Sequence, residues 1–142
     1  MGDFMRLFLT LTKRNLFIIF LILLLGLSII VNVSSVGTNM PDGSTNAKRV
    51  MHLKSKGISA ENADVFSKEI TIPQEFGAVY NNYNSLQKQA GFDLSNYKGE
   101  KATLYTYPLY DTTEVHIIVY KGVIIGGDVA DIRLGGEMKP LA

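Results

Sequence analysis

EVHIIVYKGVIIGGDVAD, residues 114–131, is the stretch whose reading decides the fold. Val115, Ile117 and Val119 alternate with Glu114, His116, Ile118 and Tyr120. A two-residue period of this kind is the signature of a strand with two different faces. Lys121-Gly122 supplies a two-residue hairpin turn, with glycine free to take positive φ, and Val123–Ile125 returns as the partner strand. Gly126-Gly127 interrupts it. Paired glycines inside a strand imply a bulge, a bend or a close backbone approach. Asp128–Leu134 can resume the strand, and residues 135–142 read as a loose end.

Working upstream, Lys101–Tyr107 alternates again, with Ala102, Leu104 and Thr106 on one side and Thr103, Tyr105 and Tyr107 on the other. Pro108, which has no N–H to donate, closes that strand. Pro73–Ala90 reads as the best-written helix of the soluble part. Pro73 suits the first helical position, and Phe76, Val79, Tyr80, Tyr83, Leu86 and Ala90 recur at steps of three and four. Asn81, Asn82, Asn84, Gln87 and Lys88 form the expected wet face. Val65–Ile72 is a strand whose alternation is broken by Lys68, which points to an edge position or a bulge. Asn46–Lys56 is a short helix capped by Ser44, Thr45 or Asn46 and stopped by Gly57, with His52 expected in solvent. Short links between successive strands imply antiparallel pairing. The expectation is an α+β fold, β-α-β-β-β, with one long helix packed on a curved antiparallel sheet in a cystatin-like arrangement.

Before this domain runs LFIIFLILLLGLSIIVNV, residues 16–33, in which fifteen of eighteen side chains are Leu, Ile, Phe or Val and none is charged. As a helix it would span about 27 Å, close to the ~30 Å hydrocarbon core of a bilayer. Arg6, Lys13 and Arg14 precede it, and no charge follows until Asp42, so the bias of basic residues places the N-terminus in the cytoplasm. The expected organisation is a cytoplasmic tail at 1–15, a transmembrane signal-anchor helix at 16–35, a flexible stalk at 36–45 and an extracytoplasmic domain at 46–142. Val33 and Ser35 are small enough for a signal cleavage site, but the apolar run exceeds the ~7–15 residues of a signal core, which favours retention.

Composition narrows the chemistry. The chain has no cysteine, which removes disulfides, thiolate metal sites, a Cys nucleophile and a lipoprotein anchor. From Asp42 onward 11 basic residues face 12 acidic ones, so a nucleic-acid partner has no electrostatic basis. His52 and His116 have no i+3 or i+4 metal-binding partner. No nucleophile elbow or phosphate-binding glycine loop is present. Asp128 and Asp131 beside Gly126-Gly127, with Glu137 after Gly135-Gly136, could hold Ca²⁺, but the EF-hand pattern is missing and a solvated bulge is the simpler reading. No catalytic residue, cofactor or metal is assigned. The candidate binding surface is Tyr105, Tyr107 and Tyr120 with His116 and Asp128, since an exposed tyrosine face suits a protein or glycan partner. The expected role is a non-catalytic interaction or sensing module, its partners being the lipid bilayer and an envelope protein. Small-ligand capture is the alternative. A hydrolase using Glu114, His116, Asp128 or Asp131 is the more distant one.

Several segments together resemble the DUF4830 family, a bacterial domain of unknown function typical of Firmicutes. They are Thr71–Phe76 (TIPQEF), Tyr83–Leu94 (YNSLQKQAGFDL), Tyr97–Gly99 (YKG), Tyr105–Tyr107 (YTY) and Ile124–Asp128 (IIGGD). The likeness extends over residues 46–141. The loop Leu109–Thr113 is shorter than the family's pattern. The resemblance implies an N-terminal membrane segment or signal. It implies no established activity, catalytic residue or cofactor.

Overall fold

The computed structural model describes residues 40–110 and 112–142; the tail and transmembrane helix expected at 1–35 lie outside the described residues. Among the described residues no helix is long and apolar enough to cross a membrane. The elements are α1 (Asn46–Ser55), β1 (Phe66–Thr71), α2 (Ala78–Gln89), a 3-10 turn (Leu94–Tyr97), β2 (Lys101–Pro108), β3 (Thr113–Tyr120), β4 (Val123–Asp131) and β5 (Met138–Pro140).

The strands form one antiparallel sheet in the order β1-β2-β3-β4-β5. Each strand therefore lies beside its neighbours in sequence. The β3–β4 turn has Lys121 at φ 48° and Gly122 at φ 82°, the left-handed pair that matches the twist of a tight hairpin. The register slips between Ile118 and Val119, which face Gly126 and Ile124. Ile125 is the extra residue of a bulge, where the glycine pair led one to expect irregularity. Lys68 sits in the edge strand β1, most of which is exposed. β5 was expected only as a loose end. It pairs with Asp128–Ala130 and delivers Leu141, 1% exposed, into the core.

Alternation sends the odd and even positions of β2 and β3 into two separate cores. Tyr105, Tyr107, Val115, Ile117 and Val119 pack with Val50 and Leu53 of α1. Ala102, Leu104, Ile118 and Tyr120 pack with Tyr80 and Tyr83 of α2. Among the described residues the fold is thus α+β with two α-helices and a five-stranded antiparallel sheet, and the helices serve opposite faces. This departs from the expected sheet wrapped around one helix. Phe92, just beyond α2, reaches back into the α1 core.

Two further expectations are corrected. α2 begins at Ala78, not at Pro73. Gly77 is its extended N-cap, and the preceding segment is held elsewhere: Ile72 N–H donates to Glu100 C=O at 2.9 Å and Gly99 N–H to Ile72 C=O at 2.8 Å. Phe76 instead packs on Tyr80 with ring centroids 4.5 Å apart, much as a hydrophobic staple fixes the chain's entry into a helix. The described part of the expected stalk is also ordered by pairing. Ile124 N–H donates to Pro41 C=O and Gly43 N–H to Gly122 C=O, each at 2.8 Å. Because β3 occupies one edge of β4, Pro41–Gly43 lies on the other edge, the one that also carries β5.

Candidate functional site

A buried cluster of titratable groups sits where α2, β3 and β4 meet. The strand register places His116 directly opposite Asp128, and Glu114 lies two residues away on the same face. Tyr83 comes down from α2. Asp128 is 1% exposed. Its carboxylate accepts from the Tyr83 hydroxyl at 2.7 Å and lies 2.8 Å from His116 Nδ1. Glu114 Oε2 is 3.5 Å from His116 Nε2. The hydrogen bond to Asp128 raises the His116 pKa above its ordinary value, against desolvation and with help from the charges of Asp128 and Glu114. Burial, then the Asp128 charge, holds the Tyr83 hydroxyl far above its usual range. His116 thus sits between the carboxyl groups of Asp128 and Glu114, and Tyr83 donates to Asp128 from the α2 side.

The two carboxyl groups clamp the imidazole, Asp128 at Nδ1 and Glu114 more distantly at Nε2. Both His116 nitrogens here face carboxylates, and no hydroxyl is hydrogen-bonded to either among the described residues. Among the described residues no three His, Asp or Glu side chains are grouped to hold a metal. Asp131, on the opposite strand parity from Asp128, forms an ion pair with Arg133.

The tyrosines of the expected binding surface do not form one. Tyr107 is fully buried under α1. Its hydroxyl accepts from Arg49 Nε at 2.9 Å and donates to Asn46 Oδ1 at 2.8 Å. Tyr105 is covered by the Arg49 guanidinium, 3.5 Å from the ring centroid. Tyr120 lies on the other face, edge-on to Tyr97 and donating to Glu100 Oε2 at 2.7 Å. The periodicity showed that Tyr105 and Tyr107 share a face but not that α1 covers it. His52, expected in solvent, is half-buried edge-on to Phe92, and burial lowers its pKa.

The inward face of α2 is rotated from the expected one. Val79 is 85% exposed, whereas Asn84 and Gln87 are buried. Asn84 Nδ2 donates to Asp93 Oδ1 at 2.9 Å, and Asn84 Oδ1 accepts from Leu94 N–H at 2.8 Å. Gln87 Oε1 accepts from Gly127 N–H at 2.8 Å. Polar side chains turned inward leave apolar ones turned outward. Val79, Tyr80, Asn82, Tyr83 and Leu86, with Met138 of β5, line a groove of about 490 Å³ without a charged side chain. Sequence reasoning missed this groove because Val79 and Leu86 sit at core-like spacing. The only available signal was the amide-rich run of α2, which can satisfy loop and strand backbone as readily as water.

The family model described as Domain of unknown function (DUF4830) matches residues 58–129, 72 of the 142 residues. The chain belongs to this family. The matched stretch runs from the α1–β1 connection to β4 and is narrower than the expected 46–141. No curated protein and no solved structure matches the chain.

Proposed function

We propose that this chain is a single-pass protein of the bacterial cell envelope, with its N-terminus in the cytoplasm, and that its folded domain is a non-catalytic module that binds an envelope protein. The uncovered groove between α2 and β5 carries this reading. Tyr, Leu, Met and Val without charge are the composition of an interface core, and Val79 stands 85% exposed with no role in the domain's own packing. The apolar run at 16–33 and the basic residues before it support the membrane placement.

A photo-crosslinker at Val79, in the full chain expressed in its own membrane, tests the reading. A discrete protein adduct is expected. The reading fails if no adduct forms and a small apolar molecule raises the melting temperature instead. That outcome would favour ligand capture, for which the groove volume is adequate.

A further inference from the structure

The groove between α2 and β5 shares its walls with the His116–Asp128 pair. Tyr83 lines the groove and donates its hydroxyl to Asp128 Oδ2 at 2.7 Å. The other oxygen of this buried carboxylate lies 2.8 Å from His116 Nδ1. Strand register ties the opposite wall to the same place. One row of facing residues runs Phe66, Thr106, His116, Asp128, Pro140 from β1 to β5. The next runs Pro108, Glu114, Ala130, Met138, and Met138 is the β5 wall of the groove. In these two rows β1, β2 and β5 contribute no titratable group, β3 contributes His116 and Glu114, and β4 contributes Asp128. From α2, Tyr83 faces Asp128, with the Tyr80 ring centroid 5.8 Å from its own. Lys68 is the charged residue of β1 on this face, beyond Phe66 and opposite Leu104.

We propose that the groove is proton-gated: protonated His116 holds Tyr83 in place through Asp128, and loss of that proton loosens the groove wall and weakens binding there. The inference rests on the groove reading above and names its regulation. Of the groups facing one another here, only the imidazole ordinarily titrates near neutrality. Protonated, it donates a charge-assisted hydrogen bond to one oxygen of Asp128, and the other oxygen accepts from Tyr83. Deprotonated, it leaves a buried carboxylate facing a neutral ring, and a buried charge that loses its partner is costly. Water relieves that cost where Tyr83 gives way, because the phenol is the donor that arrives from a separate element. The proton thus acts on the groove through a side chain that both places use. By reciprocity, an occupant packed on Tyr83 in its held position tightens the hold of His116 on its proton.

The absence of cysteine in the chain gives the test a single labelling site. The full chain bearing Asn82→Cys, an exposed position in the groove, carries an environment-sensitive dye in detergent micelles. The His116 imidazole resonances are followed in the same sample. Dye emission is expected to shift with pH at the midpoint of the His116 titration. His52→Gln should keep that shift and His116→Gln should remove it. Tyr83→Phe should abolish the shift while His116 still titrates, which separates the relay from a loss of fold. Emission that stays flat while His116 titrates, or a shift that survives Tyr83→Phe, overturns the gating. In the native membrane, the adduct from the crosslinker at Val79 is expected to fall about 5-fold or more as pH rises through the same midpoint. An adduct whose yield ignores pH overturns the gating and leaves the binding reading standing. No adduct at any pH refutes the binding reading and its regulation together.

Discussion

At the scale of single residues, the two histidines pull the pH dependence of stability in opposite directions. Contact with Asp128 raises the His116 pKa in the folded protein. Its contribution is therefore complete below its unfolded pKa of about 6.5 and is lost as pH rises through the higher folded value. His52 has its pKa lowered by burial, so it stabilises above about 6.5 and loses that contribution as pH falls through its lower folded value. Melting temperatures of wild type, His116→Gln and His52→Gln from about 2 units below to about 2 units above the ordinary imidazole value separate the two. The stability deficit of His116→Gln should shrink as pH rises. A deficit that grows would contradict the clamp. Asp128→Asn should cost about 2–3 kcal/mol by weakening a charge-assisted contact in a buried site, and Tyr83→Phe about 1.5–3 kcal/mol. Urea unfolding of both variants measures this.

At the scale of elements, the pair Gly126-Gly127 lets α2 and the C-terminus approach β4 from different directions. A Cβ on Gly127 would meet His116 C=O at 2.8 Å and Leu141 Cδ2 at 2.7 Å. On Gly126 it would meet Gln87 Oε1 at 3.0 Å and Leu94 Cδ2 at 3.3 Å. Side chains can yield and a strand carbonyl cannot. Gly127→Ala is therefore expected to cost more than Gly126→Ala, with overpacking of this kind worth about 1–3 kcal/mol. Denaturation midpoints that reverse this order would count against the account. Gln87→Leu adds no volume problem of that kind but leaves the Gly127 N–H buried without its acceptor, a loss of about 1–3 kcal/mol, which the same titration reads. The glycines were legible in the sequence as a site of irregular backbone. Their partners were not, because Gln87 and Leu141 lie 40 and 14 residues away from Gly127 and come together only through packing.

At the scale of the whole molecule, surfaces unused by the core should separate from stability. Val79→Asp is expected to change unfolding free energy by no more than about 0.5 kcal/mol, as for ordinary surface positions, while abolishing the protein adduct of a photo-crosslinker placed at Asn82 in the same groove. A large loss of stability would mean that Val79 packs inside after all. The sequence by itself determined the antiparallel hairpin at Glu114–Asp131, the existence of both helices and the membership of the family. The first two are encoded locally, in a period of two or of three to four and in a turn pair. Only the tertiary structure decided which residues face outward. α1 covers the tyrosine face because Arg49 and Leu53 pack there. α2 turns Asn84 and Gln87 inward because backbone groups of Leu94 and Gly127 need those partners. β5 exists because β4 leaves an edge to be paired. A buried amide and an exposed one have the same spacing along a chain, and only the donors and acceptors brought beside them settle which is which.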